Sequence, residues 1–366
     1  MSEFYIRDCP FTEEQIASIT QEQYIIQNLQ KIPSFFYKYF PNTVDSDNGR
    51  NYSVEALDSN TVFMQNPRLF DDPFDSLVLV DELTYATGII KDFARLYGIA
   101  VEESWDYYKT AHEFGLKIYN DIKLGKSFDD LYEKCEDDTQ IIRLKKEKFF
   151  LSLKNQLLIP NNNGDIFAPY IKGQYAELYH AFDKFRMACF TLTPFSILMW
   201  SHYADNHKGF CIEYETSDFS DDNKHIYSNL YPVIYTDKRV DLADIYIESD
   251  KKGNYNAEQI WAAYKYGFLC KSIDWKYQKE WRLISLDKMI TDDNNCCKFF
   301  KIKKVYLGNK MKKEEREKKI SICKSKGIPY AGVIIHPNKF EMIECNQLCE
   351  NCINLDSHTT DNEKRH

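Results

Sequence analysis

The sequence predicts an α+β protein in which two groups of short strands flank a helical middle. Runs of strand length with alternating or aromatic character occur before residue 87 and after residue 186, and such runs are typical of half-buried strands. The residues between them instead carry apolar side chains at helical spacing. Strands and helices that are segregated along a chain in this way indicate an α+β fold.

The chain before the helical middle divides into two predicted parts. We expect residues 1–33 to form an N-terminal helix that ends at Pro33, because the residue before a proline disfavours helical geometry. Residues 34–86 are then the first part of the α/β core. Within it, strands are predicted at the aromatic run 35–40 and at residues 61–64.

Residues 87–186 are predicted to be a helical insertion in this β-rich core. Helical periodicity extends over residues 102–123 and 128–158. A turn at residues 160–164, rich in Asn and containing Pro and Gly, separates these helices from a third one that ends near Arg186.

Residues 187–340 are predicted to form the second part of the core, in which the strands return. The predicted strands are 187–191, 209–214, 230–235, 275–284, 299–307 and 331–335. The predicted helices are 196–206, 258–271 and 312–326. Residues 341–366 are expected to form a C-terminal helix, ending near Leu355, and a polar tail.

The composition excludes several classes of protein. The chain has 366 residues, of which 43% are hydrophobic and 28% charged, and such a chain buries too much apolar surface to be disordered. Its net charge of −9 repels nucleic acid and anionic membrane unless a local basic patch makes the contact. Residues 301–326 are such a stretch, with eleven Lys or Arg and three Glu. A solvated helix face is the alternative interpretation of this stretch.

The cysteines do not form a pattern typical of a disulfide scaffold. There are eleven, an odd number, and most lie singly in apolar runs, where free thiols behave as small core residues. No secretory signal and no apolar run of membrane-spanning length is evident, so we expect a reduced, cytoplasmic protein without membrane contact. Cys345, Cys349 and Cys352 have metal-like spacing, but on a helix they form one core-facing stripe, and we expect no metal.

A tryptophan-centred block at residues 198–214 is the densest candidate for a functional site. In a helix over 196–206, Met199, His202, Tyr203 and Asn206 share one face, whereas Ile197, Trp200 and Ala204 pack inward. Together with Glu213 on the following strand, the first face can form a polar pocket wall. The alternative is a packing motif with aromatic core anchors.

A second candidate lies in the predicted strand 275–284. Alternation along a strand places Gln278, Glu280 and Arg282 on one face. A Gln-x-Glu pair on a strand can hold a ribose hydroxyl and stabilise a developing cation, although a solvated cross-strand ion ladder explains the same residues. In the turn at residues 66–75, Asp72 or Asp75 is a candidate ligand contact, and a purely structural turn over Phe70 and Phe74 is the alternative.

At these residues the chain resembles the bacterial family known as domain of unknown function 2971. The matching blocks are Phe36-Tyr-Lys-Tyr39, Arg68-Leu-Phe-Asp-Asp-Pro-Phe-Asp75, Met187-Ala-Cys-Phe190, Met199-Trp-Ser-His-Tyr-Ala204, His207-Lys-Gly-Phe-Cys211 and Glu280-Trp-Arg-Leu283. Asp71 stands where the family pattern leads us to expect Asn. The resemblance implies a fold and an order of blocks, but no activity.

The chain is also distantly similar to ADP-ribosyltransferases, which have an antiparallel split sheet and a late strand with a Gln-x-Glu or Glu-x-Glu pair. Gln278-Lys-Glu280 resembles that pair, and Tyr37, Lys38 and Tyr39 lie where a first-strand cofactor contact is expected. The similarity implies that the chain uses NAD as substrate and needs no metal. It further implies that ADP-ribose is transferred to a protein, to a nucleic acid or to water.

This similarity also implies roles for the candidate residues. Glu280 is expected to bond the ribose hydroxyl and to stabilise the oxocarbenium-like charge. Tyr203 or Tyr37 is expected to stack on nicotinamide. Arg282, Lys38 or His202 is expected to contact the pyrophosphate. The similarity thus implies a catalytic set of Glu280, His202 and Tyr203 and a cofactor-binding set of Tyr37, Lys38, Tyr39, Asp72, Gln278 and Arg282.

Three functions remain open from the sequence. The first is an ADP-ribosyltransferase-like enzyme, of the toxin or anti-phage effector kind, with a regulatory partner protein left open. The second is a non-enzymatic binding module in which the tryptophan block and the Asp-Pro-Phe turn are structural. The third is a nucleic-acid-directed effector that uses residues 301–326.

Overall fold

The fold is mixed α+β, as the sequence predicts, and it divides into two compact units. The computed structural model describes residues 32–72, 74–75, 79–132, 140–157, 166–216, 224–227, 229–237, 239, 241–243, 247, 267–286, 291–292 and 294–345. One unit comprises Met1–Gln21, Asp75–Asp183 and Lys238–Cys270, and the other comprises Glu22–Phe74, Lys184–Asp237 and Lys271–His366.

The strands and helices are numbered here in chain order. The strands are β1 (Phe35–Phe40), β2 (Thr61–Phe63), β3 (Phe185–Phe190), β4 (Phe210–Glu215), β5 (Leu230–Pro232), β6 (Ile234–Thr236), β7 (Cys270–Ser272), β8 (Trp281–Leu286), β9 (Cys296–Lys298), β10 (Lys301–Leu307), β11 (Tyr330–Ile335) and β12 (Met342–Cys345). The helices are α1 (Tyr52–Ser59), α2 (Glu82–Leu96), α3 (Tyr107–Lys123), α4 (Phe128–Leu131), α5 (Gln140–Leu157), α6 (Ala168–Phe182), α7 (Ile197–Tyr203), α8 (Lys224–Tyr227) and α9 (Lys313–Ser325). Turns of 3-10 helix lie at Pro67–Leu69 and Ile273–Gln278.

The unit that contains α2 to α6 is built around stacked aromatic side chains. The rings of Phe93 and Phe149 stack with their centroids 3.8 Å apart, and those of Phe114 and Phe167 stack at 4.9 Å. Aspartates cap two of these helices, as sequence-level capping rules expect. Among the described helices, none combines the length and the apolar character needed to cross a bilayer.

The other unit contains a five-stranded sheet in the order β1-β4-β10-β11-β12. Its neighbouring strands are antiparallel except for β10 and β11, which run parallel. This pair departs from the antiparallel sheet that the similarity to ADP-ribosyltransferases implies. The reason is that α9 connects the two strands, and a crossover helix returns the chain to the end at which it started.

A three-stranded sheet in the order β3-β8-β5 belongs to the same unit. Within the described ranges, an isolated bridge connects it to the five-stranded sheet. In this bridge, Tyr37 and Thr191 exchange backbone hydrogen bonds of 2.8 and 2.7 Å. Thr191 also donates its hydroxyl to the Gln278 carbonyl oxygen at 2.5 Å. Thr191 therefore connects the first strand to the segment that carries the predicted Gln-x-Glu pair.

Gly209 permits the close approach of the tryptophan block to β1. A Cβ atom at this position would lie 2.1 Å from the Phe40 carbonyl oxygen and 3.0 Å from the Ala204 backbone. Both neighbours are backbone atoms and cannot move aside. The sequence predicts that this glycine ends the helix, and the structure adds that no side chain fits there.

Several predicted elements differ from the observed ones. Residues Ile273–Gln278 form a 3-10 helix instead of a strand, and Lys279, with φ of 46°, turns the chain into β8. Met342–Cys345 form strand β12, which pairs with β11, where the sequence predicts the start of a C-terminal helix. The predicted N-terminal helix, most of helix 258–271 and the tail lie outside the described residues.

Candidate functional site

Helix α7 is anchored by Trp200, which is fully buried. Its indole Nε1 donates to the Pro194 carbonyl oxygen at 2.7 Å, and its ring meets the ring of Tyr39 edge-on at 5.2 Å. Ile197, which the sequence places inward, is 40% exposed, whereas Met199 is buried. The helix is short, so Met199 and Trp200 together point at the sheet and Ile197 remains outside.

The chain leaves α7 through three consecutive residues in the left-handed region, Asp205, Asn206 and His207, with φ of 47°, 50° and 71°. The Ser201 hydroxyl lies 3.1 Å from His207 Nε2 and donates to the Ile197 carbonyl oxygen at 3.0 Å. This turn delivers the chain to β4.

A buried network joins Gln278, Glu280 and Arg282, the residues that the sequence predicts on one face. The Lys271 ammonium donates to Gln278 Oε1 and to Glu280 Oε2, each at 2.8 Å. Arg282 Nε donates to the other carboxylate oxygen, Glu280 Oε1, also at 2.8 Å. Both oxygens of Glu280 are therefore bonded to cations, and the carboxylate is only 5% exposed.

Tyr203 connects this network to α7. The Gln278 side-chain amide donates to the Tyr203 hydroxyl oxygen at 2.7 Å. Tyr203 is 37% exposed, so it is the end of the network that solvent and a ligand can reach. Burial raises the pKa of Tyr203 to about 12, which keeps its phenol protonated at neutral pH. The structure thus brings Tyr203, Gln278, Glu280 and Arg282 together.

His202 lies beside this network without a hydrogen bond to it among the described residues. Its ring is 6.2 Å from that of Tyr203 and 6.4 Å from that of Trp275, both in edge-on geometry. The Lys271 ammonium lies 5.3 Å from the centre of the Trp275 ring, a distance at which a cation is attracted to an aromatic face. Together, His202, Tyr203 and Trp275 form an aromatic rim next to the buried charges.

The first-strand residues alternate between two environments. Tyr39 is buried and donates its hydroxyl to the Thr193 carbonyl oxygen at 2.9 Å, whereas Tyr37 is half-buried. Lys38 points to the opposite side of β1, where its ammonium donates to the Cys189 carbonyl oxygen at 3.0 Å. Burial lowers the pKa of Lys38. The predicted contact of Lys38 with a pyrophosphate would require this half-buried side chain to leave its carbonyl partner.

The Asp-Pro-Phe turn agrees in part with the structural interpretation given above. Asp72 accepts a hydrogen bond from the Phe74 backbone N–H at 2.9 Å, as an Asx turn requires. Phe74 is 66% exposed, so it does not tuck beneath the turn as the sequence suggests. Asp75 is buried. The structure does not bring Asp72 into a hydrogen bond with the Gln278–Glu280 network.

The comparisons with known proteins agree with part of the predicted resemblance. A model of the family described as "Protein of unknown function (DUF2971)" matches residues 199–283. The matched segment contains Tyr203, Gln278 and Glu280. No curated protein and no solved structure gives a significant match. The similarity to ADP-ribosyltransferases therefore stays a prediction.

A metal site is not formed by the described residues. No group of three or more His, Cys, Asp or Glu side chains within the described ranges is arranged to hold an ion. Cys345 is buried at the end of strand β12, so the helical stripe predicted from its spacing does not begin there. Cys349 and Cys352 lie outside the described residues.

Sequence reasoning missed Lys271 and Tyr235. Lys271 lies at the predicted end of a helix, yet it occupies β7 and links Gln278 to Glu280. Tyr235 accepts the Glu280 backbone N–H at 2.8 Å. Tyr235 is 45 positions from Glu280 in the chain. Lys271 is only seven positions from Gln278 and nine from Glu280, but the 3-10 turn that brings them together differs from the strand predicted there. The burial of Lys271, an unusual location for a lysine, is the structural sign of its role in the network.

The network predicts an acid-labile fold. Burial opposes ionisation of Glu280, but the charges of Arg282 and Lys271 outweigh it and lower the pKa of Glu280 from 4.5 to about 2. A carboxylate with a depressed pKa stabilises the folded state above its unfolded pKa and loses that contribution as the pH falls toward the folded pKa. The melting temperature should therefore fall between about pH 5 and pH 2, and more steeply in wild type than in Glu280→Gln. Parallel pH profiles would contradict this.

Proposed function

We propose that this chain is an ADP-ribosyltransferase-like enzyme that cleaves NAD between nicotinamide and ribose and transfers ADP-ribose to a protein or nucleic-acid acceptor. The observation that carries the proposal is the convergence of two distant sequence blocks. Gln278 and Glu280, the pair that resembles the transferase motif, share the Lys271 ammonium, and Gln278 also bonds Tyr203 of the tryptophan block. The bridge between β1 and the β3 end supports a two-sheet arrangement of the kind that the similarity implies.

The proposed reaction breaks the bond between the nicotinamide nitrogen and the ribose C1′ atom. The electron pair leaves with neutral nicotinamide, and the ribose becomes an oxocarbenium-like cation. The acceptor then bonds to C1′ and releases its proton to solvent. In this scheme Tyr203 contacts the nicotinamide ring, because it combines an exposed aromatic face with a hydroxyl that Gln278 holds in place.

Within the proposal, Glu280 and Arg282 hold the site together. Both Glu280 oxygens are bonded to cations, and Arg282 is fully buried. A direct bond from Glu280 to the ribose hydroxyl would require Lys271 or Arg282 to release it, and a pyrophosphate cannot reach a fully buried guanidinium. We therefore assign positioning roles to both residues instead of the substrate contacts that the sequence suggests.

Labelled NAD tests the proposal. Purified wild-type protein, shown to be folded by its melting transition, is incubated with NAD labelled in the adenylate moiety, with and without lysate. We expect nicotinamide release and label transfer. A folded sample that neither releases nicotinamide nor transfers label would refute the function.

Tyr203→Phe is the variant that isolates the proposed contact. It removes only the hydroxyl that accepts the Gln278 amide, and one hydrogen bond of about 1–1.5 kcal/mol corresponds to roughly a tenfold loss of NAD cleavage. The melting temperature should stay close to that of wild type, because Tyr203 is partly exposed. Tyr52→Phe, which removes an exposed hydroxyl bonded to Asn48, is the matched control and should retain full activity.

A binding module is the second candidate, and the saturation of Glu280 favours it. A carboxylate that is bonded on both oxygens by Arg282 and Lys271 is typical of a structural ion cluster. The aromatic rim of His202, Tyr203 and Trp275 then serves as the contact surface for a protein or a base. Two measurements separate this function from the enzyme. If the chain is a binding module, wild type does not cleave NAD, and Trp275→Ala loses the binding of the protein or base that wild type retains.

The nucleic-acid function receives less support. Arg316 and Lys319 of the basic stretch are buried, with Arg316 bonded to the Gly308 carbonyl oxygen and Lys319 to Asn42. Lys318 is paired with Glu315. The stretch is therefore partly an internal support for the end of β10. Binding of the protein to DNA or RNA that weakens as the salt concentration rises would support the nucleic-acid function.

A further inference from the structure

Glu213 on β4 is a second buried carboxylate in the same unit, and its partner is neutral. It is 8% exposed and accepts a hydrogen bond of 2.6 Å from the Tyr306 hydroxyl at Oε2. Lys304 lies opposite it in the register of β10, but the Lys304 ammonium pairs with Glu344. Among the described residues, no cation forms an ion pair with Glu213.

Glu213 and Glu280 differ in the charge of the groups that bond them. The charge of Glu280 is opposed by Lys271 and Arg282 at hydrogen-bond distance, whereas Glu213 is bonded to a phenol. The Lys304 ammonium lies 5.5 Å from the centre of the Tyr306 ring and is paired with Glu344 instead of Glu213. A group that stabilises a transient cation acts through uncompensated negative charge in a site of low dielectric. Glu213, which is ion-paired with no cation among the described residues, is closer to this condition than Glu280, which is bonded to two.

Aromatic rings surround Glu213 on the same face of the sheet. Tyr37 is its register partner on β1, and the Tyr37 and Tyr306 ring centroids lie 6.4 Å apart. Phe195 meets the Tyr306 ring edge-on at 5.6 Å. A carboxylate among aromatic rings is a typical environment for a flat organic cation, because the rings attract the charge through their faces.

A short path of contacts connects Glu213 to the Gln278 segment. Tyr37 pairs with Glu213 across β1 and β4 and exchanges backbone hydrogen bonds with Thr191. The Thr191 hydroxyl bonds the Gln278 carbonyl oxygen. Glu213 therefore belongs to the same region of the unit as the site described above.

We propose that Glu213 is the carboxylate that contacts the positively charged part of the substrate, first the pyridinium ring of NAD and then the oxocarbenium-like ribose. This inference rests on the proposed function and reassigns the role that the sequence gives to Glu280. Glu213 forms no covalent bond in the step. The C1′–N bond breaks, the electron pair leaves with nicotinamide, and the Glu213 charge stabilises the sugar cation until the acceptor bonds to C1′.

The titration behaviour of the neighbouring phenols is consistent with this role. Burial and the adjacent Glu213 charge raise the pKa of Tyr37 to about 12 and hold the pKa of Tyr306 well above its usual range. Both phenols therefore stay protonated at neutral pH. Tyr306 keeps donating to one Glu213 oxygen and adds no charge of its own.

Glu213→Gln tests the role in turnover. The change keeps the shape and an acceptor for Tyr306 but removes the charge, and we expect kcat for NAD cleavage to fall roughly 100-fold or more. Glu215→Gln is the matched control, because Glu215 lies two residues further on β4, is half-buried and pairs with Lys303 near the surface. Full activity in Glu213→Gln would overturn the inference while the proposed function stands.

Binding of a small cation tests the role without turnover. 1-Methylnicotinamide carries the pyridinium charge, and neutral nicotinamide has the same ring without it. We expect calorimetry to show that wild type binds the cation at least tenfold more tightly than the neutral ring, and that Glu213→Gln loses this preference. If wild type shows no preference, the inference fails even if Glu213→Gln does not fold. If NAD is not cleaved but the preference depends on Glu213, the proposed function fails and the cation site remains.

Discussion

Glu280→Ala should lower the free energy of unfolding by about 3–5 kcal/mol, the range measured when one partner of a buried ion pair is removed. Lys271 and Arg282 would then remain in the interior without the carboxylate that they share. Urea unfolding monitored by tryptophan fluorescence provides the measurement. Glu344→Ala is the control, since it breaks the half-exposed pair with Lys304 and should cost less than about 1 kcal/mol.

This expectation changes how activity data on Glu280 are interpreted. An inactive Glu280→Ala protein does not identify a catalytic residue, because the same change disrupts the buried network that holds Gln278. Tyr203→Phe and Glu213→Gln are more informative, as each removes one group and keeps the packing. Unchanged stability of Glu280→Ala would mean that the ion cluster is not formed in solution.

Trp200→Ala should be comparably destabilising, by about 3–5 kcal/mol, the range for truncating a large buried aromatic residue. The indole is fully buried, packs against Tyr39 and donates to the Pro194 carbonyl oxygen, so the change leaves both a cavity and an unsatisfied acceptor. Thermal and urea unfolding provide the measurement.

Two further variants of α7 test the cause of this loss of stability. Trp200→Phe keeps most of the ring volume and loses the N–H, so its cost should be clearly smaller than that of Trp200→Ala. Ile197→Ala in the same helix removes a side chain that is 40% exposed and should have little effect. Equal losses in Trp200→Ala and Ile197→Ala would contradict the packing described for α7.

Elements with a strong local pattern were predictable from the sequence. The aromatic run that forms β1 and the periodic stretch that forms α9 lie close to their predicted bounds, because alternation and helical spacing are properties of neighbouring residues. The prediction for the segment before β8 was wrong because it too relied on a local pattern. Its alternating pattern resembles a strand, but the left-handed Lys279 and the 3-10 turn before it are selected by contacts with residues far along the chain.

The residues of the candidate site were predictable from the sequence, but their hydrogen-bond partners were not. The sequence indicated Tyr203, Gln278 and Glu280, because their residue types and spacing resemble known blocks. The sequence did not indicate that Lys271 donates hydrogen bonds to both Glu280 and Gln278. Nor did it indicate that the neutral phenol of Tyr306 bonds Glu213.

The amino-acid sequence alone determined the α+β class, the order of the aromatic and tryptophan blocks, and which side chains are candidates for chemistry. The tertiary structure decided which carboxylate is bonded to cations and which to a phenol, because such contacts depend on distances between residues such as Tyr306 and Glu213, 93 positions apart in the chain. Local patterns fix periodicity, whereas electrostatic environment is a property of the packed fold.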